Sequence, residues 1–485
     1  MSTGSGLRGF TDKLIQAQVH RKRDRFLASI SKKRVLGLVS SRRQDRRCDY
    51  FKDPKRGSYN ICYFVEFEDG ERWVLRVPIA PCLAFGARRK LESEVATMQL
   101  VAEKTDIPLP KIIAYELGND TDPLSSFMIL EYIDGQPVLP HQLGTLPQDQ
   151  RARFYTSLAD VYIQLRRLTF PMTGSLTRQQ GGGFAVRQAL ATIDLNRQEL
   201  EGFQPSDIQA AQNPNAIFSS ANEYTAMLLQ LAANAFNNSR SIISSQEQGE
   251  DALYHQDLFR RFATEQWLDR GADAGPFVLV HGDLQPFNIL VDKNMEIVSV
   301  LDWEWSRVAP CQYFLPPLWL TNIDTTVLAW EFAYNHYLER FKDFLAIVEG
   351  REKERCGDTL LSAEWSKAKR DGGFLVANAL ENCTDMDWFA NRFIGWRWYG
   401  GKEDVAERIS AFIRQDPARG QMVHDRVLAY EAYQAELRHE SSKDVVPTFC
   451  LYKRLALALQ KYLVSITSVT LGSLILSMAY YIRQQ

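Results

Sequence analysis

The spacing of hydrophobic residues changes character along the chain. From Gly57 to Val77 it alternates: Ile61, Tyr63, Val65 and Phe67 share one side, Asp69-Gly70 makes a turn, and Trp73 to Val77 returns. Period-two alternation around an Asp-Gly turn predicts an antiparallel hairpin with one buried face. Leu91 to Glu103 reads as a helix, and Ile112-Ile113-Ala114-Tyr115 and Phe127-Met128-Ile129-Leu130 read as two further strands. The predicted order is strand, strand, helix, strand, strand. After Pro137 the interval lengthens to three or four residues, as in Phe154, Leu158, Val161, Tyr162 and Leu165. That is the period of an amphipathic helix. It returns at Tyr224 to Phe236 and Trp330 to Phe341, which predicts a large helical lobe, whereas polar Ser244 to Asp251 reads as a surface loop. No solenoid repeat is visible.

The two ends differ from this body. Residues 1 to 47 carry a basic excess, including Arg21, Lys22, Arg23, Arg25, Lys32, Lys33, Arg34, Arg42, Arg43, Arg46 and Arg47. The segment reads as a helical arm with a solvated basic face. A mitochondrial presequence has the same bias, but Asp12 and Asp24 interrupt this one. Tyr462 to Ile482 holds no charge and is long enough to cross a bilayer, yet six serines and threonines dilute it. A membrane anchor and a packed C-terminal helix both stay open. The implied division is a basic extension at 1–50, a small lobe at 51–136, a helical lobe at 137–448 and an apolar helix at 449–485.

Composition narrows the function. With 45% hydrophobic residues the chain can bury a core without disulfides or metal. Its 57 basic and 59 acidic residues nearly cancel, which gives no footprint for nucleic acid. Seven scattered cysteines, none in a Cys-x-x-Cys spacing, and no secretory signal point to reduced thiols inside a cell. No histidine pair has a metal-ligand spacing, so a metal would fall to carboxylate and amide oxygens, which suits magnesium.

The chemistry concentrates in FVLVHGDLQPFNILVDKNMEIVSVLDWEW, residues 277 to 305. An apolar strand runs into His281-Gly282-Asp283, and two short strands follow Asn288. Phosphoryl transfer asks for an Asp that takes the proton of the attacking hydroxyl, and for oxygen ligands that hold magnesium on the phosphates. The spacing His-x-Asp, four residues, Asn is that of a kinase catalytic loop, with Asp283 as base and Asn288 as metal ligand. Leu301-Asp302-Trp303 stands where a kinase has Asp-Phe-Gly, making Asp302 the second ligand. His281 reads as a packing residue rather than a base.

This segment resembles the aminoglycoside phosphotransferase family, and its fungal members in particular. GSYNICYFVEFEDGERWVLRVP at 57–78, LESEVATMQLV at 91–101 and Gly174-Ser175-Leu176 agree, and the likeness extends from about residue 20 to 430. It implies an α+β, bilobal, protein-kinase-like fold: a small antiparallel sheet with one helix, and a large mainly helical lobe. It implies Mg2+ and ATP, or another nucleoside triphosphate, and a small hydroxyl-bearing acceptor held by the helical lobe, as in antibiotic or choline kinases. Arg76 departs from the pattern, standing in Val-Leu-Arg-Val where kinases place lysine, and the two are not interchangeable. Glu94, rather than Glu92, would pair with it. Gly57 and Ser58 would lie over the phosphates through backbone N–H groups, and the backbone at Glu131 and Ile133 would meet the base. Gly181-Gly182-Gly183 lacks a following Lys-Ser or Lys-Thr and reads as a flexible turn.

The prolines at 310, 316 and 317 leave no long activation segment after Asp302, which disfavours a protein substrate. Glu304, and Asp385 and Asp387 beside Trp388, are acidic groups that a cationic acceptor could use, but read as surface carboxylates. The competing class is a catalytically silent kinase-like module that holds a nucleotide or a partner, for which Arg76 is the best support.

Overall fold

The computed structural model describes residues 11–119, 122–212, 216–369, 372–382, 385–395 and 405–463. The chain divides into two compact units, Met1–Val427 and Leu428–Gln485. In the second unit the described residues, 428–463, are helical. The stretch read as a membrane anchor lies almost wholly outside the described residues, among which no helix is long and apolar enough to cross a membrane.

The first unit begins with α1 (Lys13–Ala28) and α2 (Lys32–Ser41), capped by the side chains of Asp12 and Ser31. A five-stranded antiparallel sheet follows: β1 (Cys48–Arg56), β2 (Asn60–Phe67), β3 (Arg72–Pro78), β4 (Ile112–Leu117) and β5 (Ser126–Glu131), in the order β1-β2-β3-β5-β4. Helix α3 (Ala87–Lys104) connects β3 to β4.

One strand more is present than the hydrophobic pattern predicts. β1 lies at the sheet edge, and its Lys52-Asp53-Pro54-Lys55-Arg56 stretch is exposed. It therefore carries no alternation, and its proline sits where an edge tolerates one. The stretch Arg56 to Asn60 is thus the turn between β1 and β2, not a lead into the first strand.

Alternation along β3 divides its side chains between two cores. Trp73, Leu75 and Val77 join Val35 and Val39 of α2 on one face, while Val74 packs with the core of α3 on the other. Basic residues of the arm end on acids of the sheet: Arg34 on Asp122, Arg42 on Glu116, Arg43 on Asp69. The arm closes the outer face of the sheet.

Four helices anchor the larger lobe: α4 (Gln148–Arg166), α5 (Ala221–Asn238), α6 (Gln246–Phe262) and α7 (Glu331–Cys356). Tyr155 and Tyr162 of α4 interlock with Phe344 of α7, and Tyr162 also meets Trp365 on the following helix, Leu360–Ala368. Helix α6 overturns the reading of Ser244 to Asp251 as a loop. Ser245 caps it, and His255, Leu258, Phe259 and Phe262 bury one face. Its polar first turns concealed that face, and Gly249 sits where a Cβ would lie 2.4 Å from Val423.

Between the helices run two short antiparallel pairs: β6 (Phe277–Val280) with β9 (Arg307–Pro310), and β7 (Ile289–Val291) with β8 (Ile297–Val300). The chain thus has the α+β, kinase-like fold. It reaches β9 almost directly after Asp302.

Candidate active site

Three strand ends meet. His281-Gly282-Asp283 leaves β6, Asn288 enters β7, and Asp302 follows β8. Pairing of Ile289 with Val300 sets Asn288 beside Leu301, whose N–H donates to the Asn288 carbonyl at 2.8 Å. The Asn288 side-chain amide donates to the Asp283 carbonyl oxygen at 2.9 Å and to its carboxylate Oδ2 at 3.3 Å. Both donors of that amide thus face Asp283, which leaves Oδ1 to coordinate.

The loop is held from behind. His281 is 2% exposed and tilts against the Trp303 ring. Its Nδ1 accepts from the Asp283 N–H at 3.3 Å, so Nε2 carries the proton and donates to the Leu301 carbonyl at 3.0 Å. Burial pushes its pKa down to about 4, so the ring is a neutral strut between the two motifs. Gly282 has φ +84°, and a Cβ there would lie 2.1 Å from the Trp305 carbonyl oxygen. Ser306 Oγ donates to the His281 carbonyl at 3.1 Å, and Trp319 Nε1 to the Leu284 carbonyl at 2.8 Å.

Asp302 has left-handed backbone, φ 65° and ψ 58°, an uncommon conformation for a residue other than glycine. Its side chain accepts an ion pair from Arg76 while Trp303 enters the core. Arg76 also stands 3.4 Å from Glu94 Oε1 and 3.3 Å from Glu304 Oε2. Burial works to raise the pKa of Asp302, but the Arg76 guanidinium outweighs it and holds the carboxyl below its usual range. Glu92 faces elsewhere and accepts from Gln188 at 3.1 Å.

Two of these residues were not read from the pattern as site residues. Glu304 is 8% exposed, so the reading as a surface carboxylate is overturned; Asn60, Arg76 and Lys90 surround it. Lys90 lies one turn before Glu94 on α3, and that i, i+4 spacing was the signal available in the sequence. Asp387 pairs with His255 at 2.6 Å; of the Asp385 and Trp388 side chains nothing is described.

The remaining candidates sit on backbone. Gly57 and Ser58 form the β1–β2 turn, where the Gly57 N–H donates to the Asn60 carbonyl at 2.8 Å. The Glu131 N–H is spent on the Lys111 carbonyl at 3.0 Å, which leaves only its carbonyl for a base; Ile133 follows in the link toward the helical lobe. Gly181-Gly182-Gly183 lies in a hairpin turn between Ser175–Arg178 and Phe184–Gln188.

A family model described as the phosphotransferase enzyme family matches residues 52–315, which holds Arg76, Lys90, Glu94, Asp283, Asn288, Asp302 and Glu304. The chain belongs to that family. Similar proteins of known sequence include the Yarrowia lipolytica protein named altered inheritance of mitochondria protein 9, mitochondrial, 26% identical over 287 residues, covering 52% of this chain and 48% of that one. The clavilactone A biosynthesis cluster protein Y of Ampulloclitocybe clavipes is 26% identical over 243 residues, covering 49% and 54%. The chain spans about half the length of these curated relatives. Among solved structures, a GDP complex of aminoglycoside 2'-phosphotransferase-IIIa aligns at 12% identity and TM-score 0.42, covering 84% of this chain and 99% of that one. Macrolide 2'-phosphotransferase type I aligns at 14% and 0.38, covering 75% and 97%.

Among the described residues, no cluster of three or more His, Cys, Asp or Glu is arranged to hold a metal. Asn288 and Asp302 would supply two oxygen ligands, leaving phosphate oxygens and water for the rest, as magnesium sites commonly do. Buried polar atoms without partners surround the place: Arg76 Nε, Glu94 Oε2 and Asn60 Oδ1. Native interiors seldom leave such atoms idle. They fit a polar, charged ligand.

Proposed function

We propose that the chain is a magnesium- and nucleoside triphosphate-dependent phosphotransferase that acts on a hydroxyl of a small molecule. The observation that carries this reading is the joining of Asp283 to Asn288 through one side-chain amide, with Asp302 at the end of the same hairpin. Asp283 takes the proton of the acceptor hydroxyl as its oxygen bonds to the terminal phosphorus and the bond to the nucleoside diphosphate breaks. Asn288 orients the Asp283 carboxylate and offers its remaining oxygen, with Asp302, as metal ligands. Magnesium held there neutralises charge on the phosphates. Arg76, paired with Glu94, is the cation for the phosphates; Gly57 and Ser58 cover them, and the backbone at Glu131 and Ile133 meets the base. ATP is the favoured co-substrate. The short connection after Asp302 supports a small acceptor, since it offers no platform for a protein chain. The four-part division of the chain stands as part of this reading.

The catalytically silent module has one observation in its favour. The Arg76 guanidinium sits on Asp302, the carboxylate that a metal would need. Calorimetric binding of Mg·ATP by the full chain, with turnover on a panel of small alcohols, separates the two. The enzyme reading expects metal-dependent binding that Asp302→Asn abolishes and Asp283→Asn keeps, with transfer lost in both. Binding that ignores magnesium, and no transfer on any acceptor, would establish the silent module.

A further inference from the structure

One buried cation of the site has no part in the mechanism above. Lys90 is 8% exposed, and its ammonium contacts Glu304 Oε2. Arg76 Nη2 stands 3.3 Å from that same oxygen, and Asn60 Nδ2 also donates to it. The cluster thus contains two cations, Arg76 and Lys90, and three carboxylates, Glu94, Asp302 and Glu304. Arg76 touches all three carboxylates, whereas Lys90 forms an ion pair with Glu304 alone.

This asymmetry matters once phosphates arrive. A guanidinium drawn onto a nucleotide must loosen its hold on some carboxylate. Glu304 is buried, and a buried carboxylate stripped of its cation is unfavourable by several kcal/mol. With Lys90 in place Glu304 stays neutralised whatever Arg76 does. A cavity of about 20 Å³ beside Lys90, lined also by Arg89, Asn196 and Trp305, has room for one water to satisfy the rest of the ammonium.

We propose that Lys90 is a positioning residue for nucleotide binding: it serves as the standing counter-ion of Glu304, and thereby releases Arg76 from Glu304 to the phosphates. The proposal rests on the phosphotransferase reading, because it needs a phosphate ligand for Arg76. Lys90 itself touches no reacting atom. It works through Glu304, and the sequence departure at position 76 explains the need, since an arginine that contacts three carboxylates is held more firmly than a lysine confined to one.

The test is a double-mutant cycle read by calorimetric titration of the full chain with Mg·ATP and Mg·GTP. Lys90→Met is expected to weaken nucleotide binding by about tenfold or more, and Lys90→Arg to stay within about threefold of the parent. With Glu304→Gln in the background, Lys90→Met is expected to have little further effect, because no buried charge remains to neutralise. A lysine that merely packs would be lost at the same cost in both backgrounds, and that result overturns the proposal. So does a Lys90→Met variant that binds as the parent does. If Lys90→Met fails to fold, the pair Glu304→Gln and Lys90→Met/Glu304→Gln still decides: a tenfold gap between them overturns the counter-ion role, and near-equality supports it. A parent chain that binds neither nucleotide overturns the phosphotransferase reading and this proposal together, an outcome distinct from every other.

Discussion

The Arg76 guanidinium, carried on β3, rests against the carboxylate of Asp302 while standing 3.4 Å from Glu94. Both contacts are made by the same nitrogen, Nη2, so the end of one guanidinium joins α3 to Asp302, the residue proposed as metal ligand; a lysine ammonium differs from it in reach and shape. Arg76→Lys is expected to keep the fold but weaken nucleotide binding several-fold. Arg76→Met leaves Glu94, 1% exposed, without its cation, and is expected to lose about 3–5 kcal/mol of stability. Urea unfolding of both variants at neutral pH measures the difference.

Acid should weaken the fold through His281. Its folded pKa, about 4, lies below the ordinary value of 6.5, so the folded state resists the proton that the unfolded chain accepts. The contribution is fully present above pH 6.5 and is lost as pH falls from there to about 4. A shift of that size corresponds to about 3 kcal/mol at most. The measurement is urea unfolding at pH 7 and at pH 4.5 for the parent and for His281→Asn. The variant is expected to show a smaller difference between the two; an equal difference would remove His281 from the account.

Gly282 admits no side chain. With φ +84° and the Trp305 carbonyl 2.1 Å from a built Cβ, Gly282→Ala must move either the His281-Gly282-Asp283 loop or the backbone after Asp302. A loss of at least about 2 kcal/mol is expected from strain and overlap. On the phosphotransferase reading, transfer activity is expected to fall well before nucleotide binding does, because the proposed base, Asp283, is adjacent. Melting temperature, nucleotide affinity and turnover on the same preparation test the order.

The arm is expected to be indispensable. Val35 and Val39 are fully buried against the sheet, and Asp12 is held by Arg240 at 2.6 Å. Val35→Ala is expected to cost about 2 kcal/mol, and deletion of residues 1–47 to leave the sheet's outer face bare and the product insoluble. A truncated chain that stays soluble and melts like the parent would contradict the packing described.

How much of this was legible beforehand depends on where a residue's neighbours come from. The β2–β3 hairpin and α3 showed in the sequence because each buries one face at a regular period. The His281 to Asp302 run was readable for a different reason: its spacing follows from a chemical task. β1 was missed because its exposed edge leaves no periodic trace, and the start of α6 was read as a loop because its first turns are polar on every side. Glu304 misled most. Nothing local distinguishes a solvated glutamate from one enclosed by Asn60, Arg76 and Lys90, since those neighbours lie more than 200 residues earlier in the chain.

The short run from Asp302 into β9 has a consequence for control. Trp303 is buried, and Arg307 is already paired opposite Val280, so the stretch between them is fixed at both ends. A covalent mark or a docking protein acting on this stretch would have to pull Trp303 from the core or part Arg307 from Val280 before it could move. On the phosphotransferase reading, control exerted through this stretch would cost the burial of a tryptophan each time it was used.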